Sequence, residues 1–245
     1  MKRCIVNVFS KGREQYQKLT EGLIKSLQLI DFKDDILMFS PDSNLSGTYG
    51  NVKFFPGWPN NDLYGTCKPH TELQHGFKCM AIQKARELGY DQVLWLDSSI
   101  RVNKNPYKYF ELANDLGVVT FDAEEGAEEA KWTSDMCLRI LDCTPEFALT
   151  FNQCSSGILL FDFTNKRGTT IFEEFAHYCQ IKEVLDMSLK STRPEFIAHR
   201  SDQSVISFLI KKYRMNNLSW GGTIYKGSYY NKNPFKLEPT FFIGD

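Results

Sequence analysis

Short apolar runs alternate along this chain with stretches in which apolar residues recur every three or four positions, the pattern of strands and helices taking turns. Cys4-Ile5-Val6-Asn7-Val8-Phe9 predicts a first strand, and it is far too short for a signal peptide or a membrane span. Tyr16, Leu19, Leu23, Leu27 and Ile30 predict an amphipathic helix, and Asp35-Ile36-Leu37-Met38-Phe39 a second strand ended by Ser40-Pro41-Asp42. Residues 47–65, rich in Gly, Pro and Asn, predict a surface loop with one brief strand at Val52-Lys53-Phe54-Phe55. Thr71-Glu72-Leu73-Gln74 has the form of a capping box for a helix that carries Phe77, Met80, Ala81, Ala85 and Leu88 and stops at Gly89. Further strands are predicted at residues 91–96, 116–121 and 158–163. Two more helices follow, one built on Phe172, Phe175, Ala176 and Cys179, the other capped by Ser201 and burying Val205, Ile206, Leu209 and Ile210. The opening is β-α-β, and no linker is long enough to part independent domains. The expected class is α/β: one domain with a mixed, mostly parallel central sheet flanked by helices.

Composition narrows the partners. With 245 residues, 42 % hydrophobic and 24 % charged, the chain can bury a full core. A formal net charge of −1 with no long basic run speaks against an extended nucleic-acid surface. The seven cysteines are scattered and never form C-x-x-C, so neither a zinc site nor a disulfide framework is indicated, and reduced thiols fit a cytoplasmic protein. Glu124-Glu125-Gly126-Ala127-Glu128-Glu129 reads as a solvated loop or helix face.

Asp97 is the first polar residue after the apolar run Val93-Leu94-Trp95-Leu96. In open α/β sheets ligands bind at the carboxyl ends of strands, where such a carboxylate holds a cation or accepts from a sugar hydroxyl; alternatively, Asp97 caps its own turn. Asn152-Gln153 before Gly157 makes a polar, tight entry to the next strand. His199-Arg200-Ser201-Asp202-Gln203 packs titratable groups at a helix start, where Asp202 serves chemistry or only the helix dipole.

Taken in order, the β-α-β opening, W-L-D-x-S at Trp95–Ser99, F-N-x-x-x-x-G-I-L-L-F from Phe151 and H-R-x-D-Q from His199 resemble nucleotide-sugar-dependent glycosyltransferases of the GT-A fold, over roughly residues 4–215. The resemblance implies a nucleotide-binding part at about 1–103 and an acceptor and sugar part at about 104–245. It implies a UDP- or GDP-sugar donor, a glycan, lipid-linked or protein acceptor, and hexosyl or pentosyl transfer. Asn7 and Ser10 would then face the nucleotide base, and Asp97, Ser98 and Ser99 would stand for the family's D-x-D. Lys78, Arg101 and Arg200 are candidate phosphate contacts, Asn152 and Gln153 donor-sugar or acceptor contacts, and Trp220, Tyr225 and Lys226 an acceptor platform, a lid or core packing. Asp202 would act as general base or orient the sugar. Manganese or magnesium would sit on Asp97 and Ser99, with His199 as a further ligand. Ser99 departs from the pattern, because a neutral hydroxyl is a poorer ligand for a hard dication than a carboxylate, so metal dependence stays open.

Two alternatives remain. A degenerate module that binds carbohydrate or nucleotide without turnover accounts for the missing second aspartate. A sugar nucleotidyltransferase fits less well, because Ser10-Lys11-Gly12-Arg13-Glu14 is not a convincing glycine-rich phosphate loop.

Overall fold

The computed structural model describes residues 1–9, 14–40, 44–57, 76–123, 126–218, 224–226 and 241–243, the last two segments as backbone apart from Phe241. Ser10, the capping box at 71–74 and Trp220 lie outside the described residues. Tyr225 and Lys226 fall on a strand whose side chains are likewise not described.

In chain order the elements are β1 (Arg3–Val8), α1 (Glu14–Leu29), β2 (Asp35–Ser40), β3 (Gly47–Tyr49), β4 (Val52–Pro56), α2 (Phe77–Glu87), β5 (Gln92–Leu96), β6 (Ile100–Val102), α3 (Tyr107–Leu116), β7 (Val118–Val119), then the short helices α4 (Glu129–Trp132), α5 (Asp135–Ile140) and α6 (Pro145–Ala148). The chain continues through β8 (Ile158–Asp162), α7 (Lys166–Tyr178), α8 (Lys182–Leu185), α9 (Asp202–Lys212), β9 (Ile224–Lys226) and β10 (Phe241–Ile243). Seven strands form the central sheet in the order β3-β4-β2-β1-β5-β8-β7, and β6, β10 and β9 form a small second sheet. β1, β2, β4 and β5 pair in parallel, while β3 and β8 run the other way. β7, antiparallel to β8, restores the common direction. The sheet is therefore mixed and mostly parallel.

Period-two alternation divides each strand between two cores. Cys4, Val6, Leu37, Val93 and Trp95 face α2, α7 and α9, whereas Ile5, Ile36, Met38, Leu94 and Leu96 face α1 and α3. The chain leaves β1 outward to β2 and β4, then returns to the opposite flank of β1 at β5. That reversal opens the sheet between β1 and β5 at their carboxyl ends, where open α/β sheets bind ligands.

The strand expected at 116–121 is shorter than its apolar run suggests. Leu116 ends α3, and Gly117, at φ 81°, turns the chain out of the helix, leaving Val118–Val119 as strand. α7 sits hard against this turn: a Cβ on Gly168 would lie 2.2 Å from the Asp162 carbonyl oxygen and 2.5 Å from that of Gly117. Gly168→Ala is therefore expected to lower stability by about 3 kcal/mol, since backbone cannot yield as a side chain does. Urea denaturation reads this directly, and an unchanged midpoint would show that α7 is not seated so closely. Among the described residues no helix is long and apolar enough to cross a membrane.

Candidate active site

Asp97 continues the face of β5 that carries Val93 and Trp95, so its side chain enters the α2 and α9 side of the sheet. Three groups converge there. The Lys78 ammonium, from the first turn of α2, lies 3.2 Å from Asp97 Oδ1 and 3.0 Å from Asp202 Oδ2. It also donates to the Ser156 carbonyl oxygen at 3.0 Å and to Ser156 Oγ at 3.1 Å. The Lys78 side chain is 3 % exposed and that of Asp202 4 %, while that of Asp97 is 38 % exposed. Burial alone would lower the Lys78 pKa, but the Asp202 and Asp97 carboxylates outweigh it and hold the ammonium above the ordinary lysine value. The buried ammonium is thus held charged between two carboxyl groups, of which that of Asp97 reaches the surface.

The antiparallel register of β5 and β8 explains why Ser156 is present. Leu96 pairs with Ile158, and the Asp97 amide donates to the Gly157 carbonyl oxygen at 2.8 Å, so residues 156 and 157 meet Asp97 across the strand ends. Trp95 Nε1 donates to Asp97 Oδ1 at 2.8 Å. Oδ1 is thereby held by two donors, while Oδ2 lies over Gly157, where a Cβ would come within 3.1 Å of it. Asp202 opens α9, where the helix dipole favours a carboxylate. Ser201 before it adopts φ 50° and ψ −122°, without a side-chain capping bond. This costs about 1–3 kcal/mol for a non-glycine residue and is retained where the surroundings fix it, here aiming Asp202 at Lys78. The expected Ser201 cap is therefore not formed by its hydroxyl.

Several residues expected at the ligand are spent inside the protein instead. Asn7 is buried, donates to the Leu96 carbonyl oxygen and accepts from Ser98 Oγ at 3.1 Å, bolting β1 to the end of β5. Ser98 Oγ in turn accepts from Thr20 on α1 at 2.9 Å. Arg101 donates to the Ser98 and Ile100 carbonyl oxygens, each at 2.9 Å, and lies against Gly22, bracing the loop on α1. Arg200 stacks on Trp132, 3.6 Å from the ring centre. Lys78 is enclosed between Asp97, Asp202 and Ser156, so its ammonium is engaged inside the protein rather than held out toward a phosphate.

Asn152 and Gln153 part company. Asn152 is exposed and lines a groove of about 420 Å³ with Asp122, Phe151, Lys211, Asn216 and Asn217; none of Lys78, Asp97, Ser156 and Asp202 lines it. Gln153 is fully buried, its Oε1 accepting from Gln203 at 3.0 Å and its Nε2 donating to Ser204 Oγ at 3.3 Å.

His199 is buried too. Its Nε2 meets the Val184 carbonyl oxygen at 2.6 Å and its Nδ1 accepts from the Ser134 amide at 3.4 Å. Burial lowers its pKa and keeps the ring neutral. Both nitrogens are committed, so the expected metal role finds no lone pair. Ser99 supplies only a hydroxyl, Asp97 Oδ1 already faces an ammonium, and no cluster of three or more His, Cys, Asp or Glu among the described residues could hold a metal. The donor set does not fit a divalent cation.

The acidic stretch also ends unexpectedly. Glu129 is fully buried on α4, accepts from Thr133 Oγ1 at 2.6 Å, and encloses Oε2 without a hydrogen-bond partner among the described residues. Burial pushes its pKa from 4.5 to about 8. The unfolded chain gives up this proton first, so the folded chain carries the extra proton between those values. Stability present at low pH is then lost as pH rises through the window, by at most about 1.4 kcal/mol per pH unit. Glu129→Gln lacks that slope. Urea denaturation at several pH values should show the variant gaining on the parent from about pH 5 to 8; parallel profiles would mean the ionised carboxylate is accommodated.

No protein-family model matches the sequence, and no curated protein matches it either. Among solved structures the chain is similar to WbbM, a bifunctional glycosyltransferase determined in its apo form, at 12 % identity and a TM-score of 0.54. The likeness takes in 99 % of this chain and 45 % of WbbM, so the chain spans less than half of that protein. What the two share is the fold.

Proposed function

We propose that this chain is a glycosyltransferase that takes a hexosyl or pentosyl unit from a UDP- or GDP-sugar and passes it to a hydroxyl of a glycan, lipid-linked or protein acceptor. The observation that carries this reading is Asp97: a carboxylate at the switch point of the sheet, with Oδ1 anchored by Trp95 and Lys78 and a side chain that is 38 % exposed. A fixed acceptor of this kind orients a sugar hydroxyl with little slack. Breaking the anomeric bond builds positive charge on the sugar ring, which a carboxylate at Asp97 would favour.

Asp202 is a positioning residue in this reading. It is enclosed and bound to Lys78, so it fixes the ammonium that fixes Asp97 and does not reach an acceptor proton itself. The nucleotide falls to residues of about 1–103 and the sugar and acceptor to those of about 104–245, a division such α/β domains commonly show. The groove at Asn152 suits an acceptor glycan, combining amides for hydroxyls with the Phe151 ring for a sugar's C–H face.

A module that binds a sugar nucleotide without turnover is the second reading, favoured by the commitment of Asp202 to Lys78. A thermal-shift panel of UDP, GDP and their sugars, followed by an assay for released nucleoside diphosphate, separates the two. Binding with release supports the enzyme, binding without release supports the module, and no binding sinks both.

A further inference from the structure

We propose that the Lys78 ammonium is the resident cation of this site, holding Asp97 where a divalent metal ion would otherwise hold it, so that donor binding needs no such ion. This rests on the reading of the site as a sugar-nucleotide site. Three observations carry it. The ammonium lies 3.2 Å from Asp97 Oδ1 and 3.0 Å from Asp202 Oδ2, so one buried cation already serves both carboxylates. Its position is fixed from a third side by the Ser156 carbonyl and hydroxyl oxygens, and Lys78 is 3 % exposed, so the side chain has no room to swing away. The neighbouring residues are poor ligands: Ser99 is neutral and both His199 nitrogens are engaged. A dication bound through Asp97 would stand beside a like charge, and hard cations of this class need several oxygen ligands, of which Asp97 supplies one carboxylate.

The arrangement gives Lys78 a positioning role with a signature that a purely structural lysine lacks. Removing the ammonium frees two carboxylates that now share it, and should turn a site indifferent to manganese into one that binds it. The experiment titrates Mn2+ into the full chain, following free Mn2+ by electron paramagnetic resonance, and measures UDP and GDP affinity by calorimetry with EDTA or with Mn2+. The parent should bind no stoichiometric Mn2+, and its affinity for the nucleotide it takes should change less than about threefold with the metal. Lys78→Met should gain Mn2+ affinity by about tenfold or more, because the like charge is gone, and Lys78→Met with Asp97→Asn should lose the gain.

One equivalent of Mn2+ bound by the parent and abolished by Asp97→Asn overturns the proposal, as does nucleotide binding that requires Mn2+. Should Lys78→Met fail to fold, the parent and Asp97→Asn decide it alone. Failure of both nucleotides to bind under either condition removes the donor reading, while the Mn2+ titration still settles which cation Asp97 holds.

Discussion

Asp97→Asn should lower the rate of nucleoside-diphosphate release by about 10²–10³-fold, the usual cost of deleting one preorganised electrostatic group at a reaction centre. Asparagine keeps the shape and can still accept from Trp95, but it removes the charge proposed to face the sugar. The fold should survive. Asp97 is 38 % exposed, and Lys78 retains Asp202 at 3.0 Å, so no buried charge is stranded. The thermal midpoint should move by no more than about 5 °C, roughly what 1–2 kcal/mol produces in a domain of this size. Steady-state assays on the matched donor, beside calorimetric melting, check both halves. Unchanged turnover with an unchanged midpoint would put the chemistry elsewhere.

The largest effect on stability is expected at Lys78. Lys78→Met leaves Asp202 enclosed without its cation, and breaking a buried pair from one side typically costs about 3–5 kcal/mol. The midpoint should fall on the order of 10 °C. Adding Asp202→Asn to Lys78→Met removes the stranded charge and should recover at least about half of the loss, so the two changes combine far from additively. Additive losses would mean that Lys78 contributes through packing against Trp95, 5.7 Å from its ring centre, more than through charge.

Much of this fold was legible in the hydrophobic pattern. β1, β2, β5 and β8 are runs of adjacent apolar residues, and α1, α7 and α9 show their buried stripes, because burial on one face imposes its period on the chain. α3 was missed in the sequence, although its stripe of Tyr109, Phe110 and Ala113 stands between Pro106 and Gly117. The reversed direction of β8 was not legible. Strand pairing joins residues 66 apart, as Leu94 with Leu160, and local sequence carries no mark of direction.

The candidate site was legible in part for the same reason. Asp97 and Asp202 announce themselves by standing at the end of a strand and the start of a helix. Trp95 was recoverable, since period two puts it on the face of Asp97. Ser156 was not, because only the antiparallel register brings it to Lys78. Asn7, Gln153 and His199 look in sequence like polar groups waiting for a ligand, and each is turned inward to satisfy buried backbone or side-chain groups. A polar residue at a strand tip reads alike in either direction. Glu129 shows the converse: it closes a run of glutamates yet is folded into the core, where Ala127 and Ala130 beside it are also buried.

The most direct test of the central claim is a crystal structure of the chain with a non-hydrolysable analogue of the donor selected by the thermal-shift panel. The account predicts the sugar over Gly157, with a hydroxyl in hydrogen-bond reach of Asp97 Oδ2 and the Lys78 ammonium still between Asp97 and Asp202. A donor seated away from Asp97, with Oδ2 left to solvent, would contradict it.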